Sequence, residues 1–573
     1  MLDETPPVIA AVRPPPLSGG TLLVSKSGKV VVSDPDRDRI VIVTLPSGPA
    51  RPIALSLGDH PGRLVEDARG LVHVVLRDGG DVVTIDPEAA AIVGRRSVCS
   101  APRGIAYDEA RDLVVVVCAG GELVRVGAAD ITSARSTTTL LEPDLRDVVV
   151  AGDQYLVSRF RGATVLVVDA DGVVRARHRP APVDASATTG TTVVHEPSTA
   201  WRMIPAGGNR ALMVHNSSRV TPLDPGDESV PSRYYGEGCE QPVRTEISFI
   251  SEEGVGAQYN PVQLSALGLP VDVAIQPLTG FFALVDATKS TVTLYDPDAL
   301  ATDSPCKRMD EPRYIPTPVP QPVAVGFTSN LDMVVQSREP ARLSIVRAAA
   351  VIATVDLGGE SRADTGYDLF HGQGSAAAGA GIACASCHPE GRDDGHVWSF
   401  TDLGPRRTQS VAGTLRGTAP FHWAGDLDTF DALVDEVMAR RMGAFSQSHE
   451  RIEALRTWIE EAAVPVRAAP ELVGAGDPKR GRAIFESSET RCADCHAGLA
   501  FTDNRTVDVG TGGPLQVPSL IGLSGRAPYM HDGCAPTIEA RFEETCGGGE
   551  QHGSTATLSP ADLDDLVAYL ATL

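Results

Sequence analysis

From about residue 20 to residue 359 the chain alternates short apolar runs, rich in β-branched residues, with polar turns. Leu71-Val-His-Val-Val-Leu76, Leu113-Val-Val-Val-Val-Cys118, Tyr155-Leu-Val157, Ala211-Leu-Met-Val214, Phe281-Phe-Ala-Leu-Val285 and Met333-Val-Val335 have strand length. Each is followed by a turn and a second strand, as in Ser290-Thr-Val-Thr-Leu-Tyr-Asp-Pro297. The units open on related segments: Pro61-Gly-Arg-Leu-Val, Pro102-Arg-Gly-Ile-Ala, Leu145-Arg-Asp-Val-Val, Trp201-Arg-Met-Ile, Pro270-Val-Asp-Val-Ala and Pro322-Val-Ala-Val. Pro61 to Pro102 is 41 residues and Pro102 to Leu145 is 43, with later steps lengthened by an insertion near 225–262. A period of about 40–45 residues holding about four strands predicts a β-propeller. Counting the first strand pair near Leu22–Val43 gives seven blades, with six or eight as the alternatives.

Beyond residue 360 the apolar period becomes helical. Ile452, Leu455 and Ile459 fall on one face, as do Leu563, Leu566, Val567 and Leu570. The latter run starts behind Ser559 as N-cap, Pro560 at the first helical position and Asp562 two residues on. The region also repeats itself. Gly366-Tyr-Asp-Leu369-Phe370 matches Gly481-Arg-Ala-Ile484-Phe485, and Ala419-Pro-Phe-His-Trp-Ala-Gly425 matches Ala527-Pro-Tyr-Met-His-Asp-Gly533. The expected organisation is an N-terminal segment (1–19), an all-β propeller (20–359) and two tandem all-α domains (360–465 and 466–573).

Composition narrows the possible partners. The 573 residues carry 50 Lys plus Arg against 74 Asp plus Glu, a formal charge of −24. So acidic a surface repels phosphate backbones and anionic lipid, which excludes nucleic acid and membrane surfaces as main partners. No apolar run reaches the ~20 residues of a transmembrane helix. The 56 Gly and 43 Pro favour turns and short strands over long helices.

The chemistry is carried by four of the ten cysteines. Cys384-Ala-Ser-Cys387-His388 and Cys492-Ala-Asp-Cys495-His496 are both C-x-x-C-H, the attachment motif of c-type haem. Two thiols add to the porphyrin vinyl groups, and the adjoining His is set beneath the iron as proximal ligand. Competing readings are a redox dithiol, which needs no obligatory His, and a zinc site drawing on both motifs. The motifs stand 108 residues apart in matching contexts, and both are followed by the Ala-Pro-aromatic segment at the same interval, as expected of separate modules. Two covalently attached haems are therefore expected.

The remaining cysteines, Cys99, Cys118, Cys239, Cys306, Cys534 and Cys546, are even in number and suit three disulfides in an oxidising compartment, against the alternative of buried free thiols. The pairs expected are Cys99–Cys118, Cys239–Cys306 and Cys534–Cys546. Met1–Pro7 lacks the basic and apolar regions of an export signal and alone reads as cytoplasmic. The cysteines favour the periplasm or the extracellular space, reconciled if the numbering begins after a removed signal.

Residues 360–573, most diagnostically Val517-Pro-Ser-Leu-Ile-Gly-Leu and Ala527–Gly533, resemble the bacterial dihaem cytochrome c peroxidase family, which includes the dihaem enzyme that matures methylamine dehydrogenase. The resemblance implies that each domain is a small cytochrome c fold, that the haems face one another, and that an aromatic lies between them. Trp423 falls at that position, with His531 as its counterpart; simple interface packing is the alternative for Trp423. The resemblance also implies interdomain calcium. Arg407 and Arg526 stand where neutral oxygens are expected, so guanidinium groups would replace the cation or pair with haem propionates. The family's Gln and Glu over the reactive haem correspond to Leu433 and, nearby, Glu436, the only acid placed to move protons there.

Candidate sixth ligands are His396, His422, Met438 and Met442 for the first haem, and Met530 and His531 for the second; Met442 and Met530 are the expected choices. The segment 538–546, where the family usually draws a distal Met, contains none. That makes the first haem the expected electron store and the second the reactive one. Arg63, Arg103, Arg146 and Arg202 recur at related blade positions, to line a channel suited to an anion or to serve as rim residues. The expected function is a dihaem oxidoreductase reducing hydrogen peroxide, or using it to oxidise a partner protein. Its electron donor or substrate would be a protein such as a small cytochrome or cupredoxin. The alternative is a non-catalytic dihaem electron carrier with the propeller as binding module.

Overall fold

The computed structural model describes residues 2–573 apart from 47, 186–192, 224–240, 261–263, 265–266, 301–313, 373–380, 414 and 544–545. Seven antiparallel sheets, each built from strands consecutive in sequence, occupy 22–54, 61–97, 102–140, 145–178, 183–259, 270–318 and 322–356. They form a seven-bladed propeller. Six blades have four strands; the fifth has five, two of them the long pair Val194–Pro205 and Ala211–Arg219.

The third blade shows why the strands read as unbroken valine runs. Val114 and Val116 pack toward Val75 and Val82 of the second blade. Val115 and Val117 pack toward Tyr155 and Val157 of the fourth. Adjacent side chains point to opposite faces, and each face meets another blade, so no position is left for a polar residue. Burying such a side chain contributes about 1.5–3 kcal/mol. The ring closes where Val30, Val32, Val41 and Val43 meet Val334, Leu343 and Ile345.

Two helical modules follow. In the first, Thr365–Phe370 is capped by Asp364, whose side chain accepts from the Tyr367 amide, and crosses His449–Ala462. In the second, Pro478–Phe485 crosses Pro560–Thr572, whose Ser559/Asp562 capping box forms as expected. The glycine that begins each sequence repeat sits at the crossing. A Cβ on Gly366 would run into the Ala454 carbonyl, and one on Gly481 into the Asp565 carbonyl. Only glycine lets these helix backbones approach so closely.

The modules differ in how they are held. One continuous core joins Val271, Val285, Val323 and Val335 of the propeller to Tyr367, Phe370, Leu455 and Trp458 of the first module. The N-terminal segment straps across it: Leu2–Asp3 pairs with Ser446–Gln447, and the Trp458 indole donates to the Pro14 carbonyl at 2.9 Å. The second module has its own core of Phe485, Ile538, Leu566, Val567 and Leu570. Disulfides Cys99–Cys118 and Cys534–Cys546 are both formed, while Cys239 and Cys306 lie outside the described residues.

Candidate functional site

Each C-x-x-C-H motif opens onto its own cavity. The first, of about 420 Å³, is lined by Cys384, Cys387 and His388 together with Met438, Met442 and Arg407. His422, Trp423 and Arg526 also border it. The Cys384–Cys387 turn is seated on the propeller through Ser386 Oγ, which donates to the Gly268 carbonyl at 3.1 Å. The second cavity, of about 260 Å³, is lined by Cys492, Cys495, His496, Met530, His531 and Trp423, and also by His552. All four motif cysteines are free thiols while the disulfide cysteines are paired.

The two histidines are prepared in the same way. His388 Nδ1 donates to the Arg392 carbonyl at 3.1 Å, and His496 Nδ1 to the Phe501 carbonyl at 3.1 Å. A carbonyl can only accept, so the proton is fixed on Nδ1 and Nε2 is left to ligate a metal. Burial pushes the Cys384 thiol up to about 11 and raises the Cys387 thiol well above its ordinary value. Thioether links carry no charge to desolvate in so buried a place. Among the described residues, no cluster of three or more metal-ligating groups includes a motif cysteine or histidine.

Where the cavities meet, Trp423 borders both, as do Gln516 and Pro518. The Trp423 indole N–H donates to the Arg407 carbonyl at 2.8 Å, and the Arg407 amide donates to the His531 carbonyl at 2.6 Å. One residue's backbone therefore fixes both members of the aromatic pair. Their rings stand edge to face, 6.2 Å apart. His531 is buried, and burial holds its pKa below the usual imidazole value.

Two arginine side chains meet at this junction. Arg407 donates to the Thr408 carbonyl at 2.9 Å, to Asp393 at 2.7 Å and to the Arg526 carbonyl. The planar guanidinium of Arg407 thus gathers two carbonyl oxygens and a carboxylate. Yet Arg407 Nε, Arg526 Nη2 and His531 Nδ1 are buried without a hydrogen-bond partner among the described residues. Orphaned donors of this kind cost free energy unless a ligand supplies the acceptors. The anionic edge of a porphyrin would do so, and the free thiols and oriented histidines fit the rest of the group.

Other expected residues lie elsewhere. Glu436 does not border the first cavity. It pairs with Arg440 at 3.1 Å and Arg441 at 2.9 Å, because the helix carrying Met438 toward the cavity turns the Glu436 carboxylate onto its own basic residues. His396 is also turned away, its Nε2 bonded to the Arg219 carbonyl at 2.9 Å. Arg63, Arg103 and Arg146 are buried inside the propeller, and Arg202 is largely so; none is a rim residue.

Their partners were not foreseen. Glu390, two residues past His388, enters the propeller axis and pairs with Arg146, with Arg77 at 3.1 Å and with Arg103 at 3.6 Å. Asp147 takes Arg63 at 3.1 Å and Arg202 at 2.9 Å. Burial raises the Glu390 pKa, but Arg146, Arg77 and Arg103 outweigh it and hold the carboxyl well below the usual range. Glu390 and Arg392 bracket the turn whose carbonyl orients His388, and Arg392 pairs with Glu390 at 3.3 Å. His552 was missed as well. The only hint in sequence was its place after Cys546-Gly-Gly-Gly, a disulfide cysteine followed by turn residues.

No family model matches the chain. It is 28% identical over 255 residues to hydrazine synthase subunit gamma of Kuenenia stuttgartiensis, covering 33% of this chain and 72% of that one. It is 29% identical over 259 residues to methylamine utilization protein MauG of Methylorubrum extorquens, covering 34% of this chain and 72% of that one. Among solved structures, Kuenenia stuttgartiensis hydrazine synthase aligns over 61% of this chain and 99% of that one, at 14% identity and a TM-score of 0.47. At low identity, and over about a third of its length, the chain is thus a homologue of the hydrazine synthase gamma subunit and of MauG.

Proposed function

We propose that this chain is an exported dihaem c-type oxidoreductase that reduces hydrogen peroxide or uses it to oxidise a partner protein. Cys384, Cys387 and His388 would hold one porphyrin, and Cys492, Cys495 and His496 the other, each in a cytochrome c module. The observation that carries the reading is Trp423, a single indole bordering both cavities. Homology to MauG and to a hydrazine synthase subunit supports an oxidoreductase.

When bound, each haem supplies an iron that changes oxidation state by one electron. Reduction of hydrogen peroxide to two waters consumes two electrons and two protons, so two one-electron sites joined by an indole match its demand. Trp423 conducts between the cavities, held by the Arg407 carbonyl. Arg407 and Arg526 would anchor the porphyrin carboxylates through Nε and Nη2. His422 and His531 are cavity-lining imidazoles able to carry protons. The acidic surface suits a basic electron donor such as a small cytochrome or cupredoxin.

Mass spectrometry of both C-x-x-C-H peptides after expression with c-type haem maturation tests the foundation: two thioether-linked haems are expected, and their absence ends the reading. Trp423→Phe should slow electron equilibration between the haems on the order of tenfold, about 1.4 kcal/mol of activation, at unchanged haem content. An unchanged rate would reduce Trp423 to interface packing.

A second reading, the non-catalytic carrier, is favoured by one observation: both cavities hold further axial donors, Met438, Met442 and His422 in the first and Met530 and His552 in the second. A high-spin signal and a peroxide-dependent spectral change in the half-reduced protein support the enzyme. Two low-spin irons indifferent to peroxide and cyanide support the carrier.

A further inference from the structure

We propose that His552 is the second axial ligand of the haem carried by Cys492, Cys495 and His496, so that this iron is closed to external ligands. The inference rests on the haem reading above and adds to it which iron stores electrons.

The imidazoles of His496 and His552 border one cavity and stand 6.3 Å apart, centroid to centroid, with their planes inclined by 36°. Metal–imidazole bonds of about 2 Å put the centroids of two imidazoles on opposite sides of one ion about 6 Å apart. The observed separation matches that of two imidazoles sharing one metal. Both rings are also turned the same way. His552 Nδ1 donates to the Gly547 carbonyl at 3.1 Å, as His496 Nδ1 does to the Phe501 carbonyl, leaving Nε2 as the ligating atom of each.

The loop that carries His552 is built to hold it there. Cys546 is tied to Cys534, and the next residue, Gly547, supplies the carbonyl that orients the ring. Gly548 has a φ of +77°, and a Cβ on it would strike the Val509 carbonyl. Arg541 donates to the His552 carbonyl, and the Ser554 amide donates to the Thr490 carbonyl at 3.0 Å, beside the haem-attaching Cys492. Met530, the ligand expected from sequence, borders the same cavity, but His552 is the side chain whose ring stands at a metal-bridging separation from that of His496. The assignment reverses the expected division of labour. The second haem becomes the electron store, and the reactive iron is the one at His388.

The test uses the full-length dihaem protein. Near-infrared magnetic circular dichroism and low-temperature electron paramagnetic resonance of the oxidised protein should show one bis-imidazole low-spin iron. In His552→Ala that signal should be lost and replaced by a high-spin one, with both haems still present by mass; added imidazole should restore it. His552→Met should convert it to an imidazole–thioether signal, and Met530→Leu should leave it unaltered. Retention of the bis-imidazole signal in His552→Ala, or its loss in Met530→Leu, overturns the assignment while leaving the dihaem reading intact. A protein with no haem on Cys492 and Cys495 overturns both.

Discussion

The two C-x-x-C-H modules are copies in sequence that solve the same mechanical problem by different means. Each must hold the histidine of its motif against thermal motion, with Nδ1 bonded and Nε2 turned free. In the first copy the support is external. The turn after His388 is anchored by Glu390 inside the propeller, and the module shares its apolar core with the blades. In the second copy the support is internal: a separate core, and a glycine loop closed by Cys534–Cys546 over the cavity. A propeller thus acts as structural partner for one C-x-x-C-H motif and a disulfide does so for the other. Duplication preserves the reactive motif while leaving its surroundings free to diverge.

Substitutions that remove one support should separate the copies, and the largest effect is expected at Glu390. Glu390→Ala leaves Arg146, Arg77 and Arg103 buried around an uncompensated position, which costs about 3–5 kcal/mol. Denaturant unfolding should show that loss, and the midpoint potential of the first haem should move while that of the second stays put. Equal movement of both potentials would contradict independent support.

A smaller effect, confined to the other copy, is expected from Cys534→Ser with Cys546→Ser. Opening a crosslink that spans 12 residues removes about 3 kcal/mol in the chain-entropy account. Hydrogen exchange should rise in 546–554 and remain unchanged around Pro389–Arg392. Protection lost at both loops would show that the modules unfold as one.

The smallest effect is expected at Arg407→Lys, which touches the seam between the copies. Lysine keeps the charge but cannot reach Asp393 and two carbonyls with a planar fork, a loss of about 1–2 kcal/mol. Thermal unfolding should fall slightly, and interhaem electron transfer should slow because Trp423 and His531 both hang from this residue's backbone.

Much of this architecture was legible in the chain. The valine runs and their spacing foretold seven blades because blade-to-blade packing buries both faces of a strand and so excludes polar residues from it. Gly366 and Gly481 were visible as repeat markers, though their reason, a helix crossing too tight for a Cβ, is a tertiary fact. Glu390 was not legible as an anchor, since its partners Arg77, Arg103 and Arg146 are more than two hundred residues away and only blade curvature brings them to one axis. Glu436 was misread because proximity in sequence to the cavity helix says nothing of which way a carboxylate turns when Arg440 and Arg441 lie beside it.

What the sequence determined by itself is local and periodic: strand and helix alternation, the duplicated motif, and the covalent chemistry that two thiols and an adjoining histidine make available. Those features depend on neighbours along the chain. What the tertiary structure decided is which distant groups come together: Trp423 bordering both cavities, Glu390 among the propeller arginines and His552 beside His496 in the second cavity. Ion pairs and metal geometries are set by distances across space, and these depend on how whole blades and helices pack.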